Sequence, residues 1–142
     1  MSKWQYNGEP LTEPPQDVWG FVYEVRWDGG FYIGQKSFWS KRNVPLSKKK
    51  STELWSGRGR KPTKQQVVKE SDWKKYCTSS KYVKSLVEEL GESKFEWNII
   101  SLATSRSNLD YQESKYLMCT DAILDPKCAN DWISIKIRKN NV

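Results

Sequence analysis

Residues 19–34 read Trp19-Gly20-Phe21-Val22-Tyr23-Glu24-Val25-Arg26-Trp27-Asp28-Gly29-Gly30-Phe31-Tyr32-Ile33-Gly34. At the odd positions from 19 to 27 every side chain is large, and Gly20, Glu24 and Arg26 lie between them. Alternation with a period of two marks a strand with one buried face. Asp28-Gly29-Gly30 then supplies a hairpin turn, because glycine accepts positive φ. Phe31-Tyr32-Ile33-Gly34 begins the returning strand.

Upstream, residues 1–18 are polar and carry Pro10, Pro14 and Pro15, so an irregular N-terminal arm is expected. Downstream, the segment 36–75 has no clear periodicity and is expected to be a loop-rich insertion. Ser79 or Ser80 then caps a helix running to Leu90, with Gly91 at its end. Its apolar positions are Tyr82, Val83, Leu86, Val87 and Leu90. Phe95 to Leu102 reads as a third, buried strand. Ser107 with Asp110 three residues on forms a capping box, opening a helix that runs to about Thr120. Trp132 to Arg138 alternates as a candidate last strand. The expected fold is α/β of the α+β kind: a small, three-stranded, mainly antiparallel sheet with flanking helices. One domain over 19–142 suits a chain of 142 residues. That length can bury a core without disulfides or a structural metal.

Composition excludes several classes. Aromatic residues make up 13% of the chain, with eight Trp and seven Tyr, which argues for a packed fold. No run of roughly eighteen apolar residues is present, so no membrane span is expected. The opening Met1-Ser2-Lys3-Trp4-Gln5 has no apolar core, and a signal peptide is not expected. Three cysteines without a close pair suit a reduced, cytoplasmic chain. There is no histidine, which removes Ser-His-Asp and Cys-His triads and imidazole-bound zinc. Acid and base work would fall to Tyr, Lys, Arg, Asp and Glu.

The charge is concentrated. Overall, 24 Lys and Arg against 17 Asp and Glu make +7. From Lys36 to Lys75 there are thirteen bases and three acids, a net of +10, so the rest of the chain is at −3. This stretch contains Lys48-Lys49-Lys50, Arg58-Gly59-Arg60-Lys61, Trp39, Trp55 and Trp73. A basic run with interleaved rings suits a polyanion: the bases neutralise phosphates and the rings stack on bases. The competing explanation is a solvated loop whose charge confers solubility. An interfacial membrane helix is disfavoured by the missing apolar stripe.

One carboxylate is out of place. Glu113 is four residues after Leu109 and four before Leu117, so it points with them toward the body of the protein. A carboxylate there is costly unless it is paired or bound to a cation. A structural bridge to Arg or Lys and a metal ligand are equally compatible with the periodicity.

The hairpin pair Phe21-Val22-Tyr23 and Tyr32-Ile33-Gly34 resembles the signature of the GIY-YIG nuclease superfamily. The order of later residues follows the same family: Lys41-Arg42, then Thr78-Ser79-Ser80, a helix ending at Gly91, Phe95-Glu96-Trp97-Asn98-Ile99-Ile100, Glu113, and Asn130-Asp131-Trp132-Ile133. Asp72-Trp73-Lys74-Lys75-Tyr76 and Tyr32-Ile33-Gly34-Gln35-Lys36 look most similar to small phage-encoded, homing-type endonucleases. The chain departs from the pattern in its first triplet, in a tighter hairpin, and in having Thr78 where many relatives carry a histidine. The basic insertion blurs the placement of Arg42, and Arg58 or Lys74 could take its place.

The resemblance implies metal-dependent hydrolysis of phosphodiester bonds in double-stranded DNA. It assigns Glu113 to one Mg²⁺ or Mn²⁺ per active site and Arg42 to the phosphate oxygens. Tyr23 would position or deprotonate the attacking water, with Lys36 as the cation that lowers its pKa. Tyr32 would orient the phosphate or share that role, and Asn130 falls near a late family asparagine. Lys41, Lys48, Lys49, Lys50, Arg58, Arg60, Lys61, Lys74, Lys75, Ser79 and Ser80 are the expected DNA contacts. A duplex break would take a homodimer on the DNA or two sequential nicks. The alternative is a non-catalytic DNA- or RNA-binding protein on a nuclease-like fold.

Overall fold

The hairpin forms as expected, but it lies in a larger sheet. A computed structural model describes residues 2–133 and residue 139. The strands are β1 (Gln5–Tyr6), β2 (Glu9–Pro10), β3 (Gly20–Trp27), β4 (Gly30–Ser37), β5 (Trp39–Pro45), β6 (Lys64–Glu70) and β7 (Glu96–Ala103). The helices are α1 (Lys48–Leu54), α2 (Lys81–Leu90) and α3 (Arg106–Cys119). None is long and apolar enough to cross a membrane. The chain divides into two units: residues 1–38 with 72–142, and Trp39–Ser71.

The first unit holds a five-stranded sheet in the order β2-β1-β7-β3-β4. The expected three strands are its β7-β3-β4 portion, with both pairings antiparallel. The two additional strands come from the expected irregular arm. Gln5 and Tyr6 pair in parallel with Asn98 and Ile99. Asn7 (φ 52°) and Gly8 (φ 85°) then turn the chain back into β2. Two successive residues at positive φ are what a tight hairpin turn between twisted strands requires, and Asn-Gly is its favoured dipeptide. Trp4 anchors the arm. It is fully buried, its ring centroid is 5.2 Å from Phe21 and 4.9 Å from Tyr23, and its indole N–H donates to the Trp73 carbonyl at 2.9 Å.

β3 lies between β4 and β7, so both of its edges are hydrogen-bonded, and each of its faces packs on a core of its own. Val22 joins an aliphatic core with Ile33, Ala103, Leu109 and Leu117, which seats α3. Phe21 and Tyr23 face an aromatic core with Trp4, Phe38 and Trp73. The Asp28-Gly29-Gly30 turn has no residue at positive φ, contrary to expectation. Its second glycine serves space instead, because a Cβ on Gly30 would run into the Lys127 carbonyl oxygen.

The helices begin at serine caps. Ser80 accepts from the Val83 N–H, and α2 ends at Gly91. For α3 the cap is Ser105 rather than Ser107: its hydroxyl accepts from Asn108 N–H. Asn108 Oδ1 reaches back to the N–H of Thr104, the residue before the cap, at 3.3 Å, so an asparagine rather than Asp110 satisfies a backbone donor at this helix start. The expected last strand falls mainly on residues outside those described, and Trp132 and Ile133 are not in a strand.

The second unit is not loop-rich. β5 and β6 form an antiparallel ribbon, and α1 is capped by Ser47 between them. The Ser51 hydroxyl donates to the Pro62 carbonyl, and the Trp55 indole donates to Gly59.

Gly34 is where packing tolerates least change. A Cβ there would lie 2.5 Å from the Tyr23 hydroxyl oxygen and 2.6 Å from its Cζ. Gly34→Ala is expected to cost about 1–3 kcal/mol by forcing the buried ring aside. Urea unfolding measures this, and a variant as stable as the wild type would show that the ring has room to move.

Candidate active site

The site is a cleft of about 440 Å³ at the open edge of β4. Its walls are Tyr32 from β4, Ser79–Tyr82 at the start of α2, Glu113 from α3 and residues 129–132. The last wall is held by strand-like bonding. Phe31 N–H donates to the Lys127 carbonyl (3.0 Å) and Ala129 N–H to the Phe31 carbonyl (2.8 Å). Asn130 continues this ladder with its side chain: its Oδ1 accepts from Ile33 N–H at 2.9 Å and its Nδ2 donates to the Ile33 carbonyl at 2.7 Å. Both ends of the Asn130 amide are therefore engaged by the edge of β4. The asparagine shapes the cleft beside Tyr32.

Glu113 is half-buried on α3, one turn from each of the buried residues Leu109 and Leu117. Among the described residues it has no hydrogen bond and no ion pair. The expected alternative of a structural bridge to Arg or Lys is not what the structure contains. Burial pushes its carboxyl up to about 7, and the Asp110 charge one turn earlier adds to the shift. Asp110 itself accepts from Gln35 Nε2 at 2.7 Å. No cluster of three His, Cys, Asp or Glu that could hold a metal occurs among the described residues. A single carboxylate open to a cleft still fits Mg²⁺, which keeps several waters and needs one or two carboxylates.

The tyrosines form a line of hydroxyls. Tyr23 is fully buried, and its hydroxyl is 3.2 Å from that of Tyr76. Ser79 hydrogen-bonds both Tyr76 and Tyr32, the latter at 3.1 Å. Burial raises all three phenol pKa values, that of Tyr23 well above the ordinary value. The expectation that Lys36 lowers Tyr23 is therefore corrected. Tyr23 is paired across the hairpin with Gly34 and Lys36 with Phe21. The ammonium instead sits 4.5 Å from the centre of the Tyr76 ring and bonds Asp72 at 2.8 Å. That bond holds the Asp72 carboxyl below its usual range.

Tyr76 is the residue that sequence reasoning missed. Its N–H bonds to the Asp72 carbonyl in one helical turn, so both partners of Lys36 come from one short segment. The four-residue spacing in Asp72-Trp73-Lys74-Lys75-Tyr76 was the available signal. Thr78, where many relatives carry histidine, is fully buried, hydrogen-bonds Tyr23, and accepts from Ser80 N–H at 3.1 Å.

The remaining expected residues lie elsewhere. Lys41 and Arg42 are exposed on the strand β5. Lys48, Lys49 and Lys50 form the first turn of α1, and Arg58, Arg60 and Lys61 lie between α1 and β6. All belong to the second unit. Lys74 and Lys75 belong to the first unit and are exposed.

A family model described as "Putative endonuclease segE, GIY-YIG domain" matches residues 4–134. No curated protein and no solved structure matches the chain.

The raised Glu113 carboxyl has a sign that can be checked. Between its ordinary value of 4.5 and about 7 the folded chain keeps a proton that the unfolded chain has lost. Stability therefore falls as pH rises through that window. The loss is at most about 3 kcal/mol, less for the part of the carboxylate that water reaches. Glu113→Gln is expected to be more stable than the wild type near about pH 8 and equal to it near about pH 4. Urea unfolding at the two pH values decides this, and equal stability at both would mean that the carboxylate has a partner in solution.

Proposed function

The match spans nearly the whole chain, so the protein belongs to the GIY-YIG family of endonucleases, which are phosphodiester hydrolases, and we propose that it cuts double-stranded DNA with Glu113 as the carboxylate ligand of one divalent ion. The observation that carries this is the unpaired, half-buried Glu113 in the same cleft as Tyr32, Ser79 and Ser80. A bound Mg²⁺ or Mn²⁺ would neutralise charge on the scissile phosphate and on the departing oxygen.

The residues of the chain divide the remaining work. Tyr32 is half-buried and reaches the cleft, so it orients the phosphate or the attacking water. Ser79 fixes the direction of the Tyr32 hydroxyl and links it to Tyr76. Lys36, bonded to Asp72 and lying over the Tyr76 ring, fixes that ring in place, and burial keeps the Tyr76 phenol protonated so that its hydroxyl serves as a hydrogen-bonding group. Tyr23, closed off in the core, positions Tyr76. The start of α2 carries no acid in its first turn, and its N–H groups with Ser79, Ser80 and Lys81 favour a phosphate. Asn130 holds the edge of β4 in place. Arg42, Lys48, Lys49, Lys50, Arg58, Arg60, Lys61, Lys74 and Lys75 contact the DNA backbone. One such site cuts one strand, so a duplex break takes a homodimer or a second event.

Plasmid cleavage tests this reading. With Mg²⁺ the wild type is expected to nick or linearise supercoiled DNA, and EDTA is expected to stop it. Glu113→Gln is expected to slow cutting by at least about a hundredfold while binding DNA as well as the wild type or better. Mg²⁺ should also raise the thermal midpoint of the wild type, but not of the variant. Cutting by Glu113→Gln at the wild-type rate would remove the metal assignment. Tight, salt-sensitive binding with no cutting under any divalent ion would favour the non-catalytic alternative.

A further inference from the structure

The β5–β6 ribbon has a property that packing does not explain. Its seven cross-strand pairs run from Trp39↔Glu70 to Pro45↔Lys64. Every residue of β6 is exposed, and so is all of β5 except Trp39 and Val44. A two-stranded hairpin on its own is marginal in water and ordinarily buries one face.

The two faces differ. Directly opposed residues share a face, so Ser40, Arg42 and Val44 lie with Lys69, Val67 and Gln65. Val44, and Leu46 beyond the strand end, are half-buried on this side. The other face has Trp39 opposite Glu70, Lys41 opposite Val68, Asn43 opposite Gln66 and Pro45 opposite Lys64, and all of these but Trp39 are exposed. Its centre is a pair of carboxamides side by side, flanked by a lysine and by a valine that is 53% exposed.

Charge separates the units in the same way. Trp39–Ser71 carries ten Lys and Arg against Glu53 and Glu70, a net of +8, which leaves the first unit at −1. The geometry points to a specific use: the Lys41–Asn43–Gln66–Val68 face of the ribbon enters the major groove of duplex DNA and reads base edges there. This rests on the DNA-cleaving reading given above and adds where sequence preference comes from.

The chemistry fits on three counts. A major groove about 12 Å wide admits a two-stranded ribbon, whose strands lie about 4.8 Å apart. Asn and Gln match the adenine N6 and N7 pattern, Lys matches guanine, and a valine methyl packs on the thymine methyl. Lys48, Lys49, Lys50, Arg58, Arg60 and Lys61 follow the Pro45–Lys64 end, where they hold the phosphate backbone and fix register. Single-stranded nucleic acid is disfavoured because this face offers a single ring, the half-buried Trp39 opposite Glu70, where a single-strand binder stacks successive bases on a series of rings.

Selection from a random duplex library, using the full chain in EDTA, tests the proposal without requiring cleavage. The wild type is expected to enrich a preference over about three or four adjacent base pairs. In Asn43→Ala/Gln66→Ala, discrimination at one or two of these is expected to fall about five- to a hundredfold. Asn43→Val/Gln66→Val, which keeps strand propensity, is expected to lose the same positions. Replacing Lys48, Lys49 and Lys50 by Gln should weaken binding to all sequences and flatten the salt slope by up to about 2.7, with the preference intact. A wild-type pool without preference, a preference unchanged in both amide variants, or a single-stranded library that outcompetes the duplex would each overturn the proposal. Nicking by the amide variants in Mg²⁺ reports separately on the nuclease. A chain that binds with preference but never cuts upholds the ribbon and fails the nuclease; one that cuts without preference does the reverse.

Discussion

β3 must be apolar on both sides, and the rest of the first unit follows from that requirement. It is covered by an aliphatic core on the α3 side and by an aromatic core on the other. Fully burying each such side chain contributes about 1.5–3 kcal/mol, so neither face can be given up. Tyr23 satisfies the aromatic side but brings a hydroxyl into the core, where it needs a partner. Tyr76 and Thr78 supply one, Ser79 bonds Tyr76 in turn, and Tyr32 completes the line at the cleft. The polar row at the cleft thus continues a row that begins at the centre of the sheet.

The hairpin and the helices α2 and α3 were legible because each follows from local chemistry, namely alternation in 19–27, serine caps, and Gly91 at a helix end, whereas α1 lay in the segment expected to be loop-rich. Position on a helix was also enough to turn Glu113 inward, since it shares a face with Leu109 and Leu117. Turn chemistry was read less well. Asn7-Gly8 is the stronger hairpin signal in the chain, yet the prolines around it suggested an arm, whereas Asp28-Gly29-Gly30 turns without positive φ. The cap of α3 lies two residues earlier than expected, at Ser105, where Asn108 bonds the preceding Thr104 N–H in place of an acid. The β5–β6 ribbon was hidden for a physical reason: a ribbon with no fully buried face has no hydrophobic alternation to display. Tyr76 was hidden because its role is set by Lys36, forty residues earlier, through a contact that only the tertiary fold creates.

The segregation of charge carries its own physical meaning. On the proposed DNA-cleaving reading, the unit at −1 with its unpaired carboxylate repels DNA weakly, and the unit at +8 supplies the attraction. Exposed lysines and arginines act over about one Debye length, near 8 Å in physiological salt, so their contribution depends strongly on ionic strength. The half-buried Glu113 is screened far less. Salt therefore acts on affinity much more than on the chemistry of the cleft.

The ladder from Lys127 to Asn130 has a second consequence. An outer strand with unpaired amides is a template on which another chain can grow a sheet. Along β4, Phe31 and Ile33 are already occupied, Ile33 by a side chain that imitates a peptide group. At the opposite border β2 is two residues long and consists of Glu9 and Pro10, a charge and a residue with no N–H to offer. Both borders of the five-stranded sheet are thus blunted against strand addition. Edge-to-edge addition is thereby opposed at Phe31 and Ile33 on one border and at Glu9–Pro10 on the other, in a chain rich in aromatic and β-forming residues.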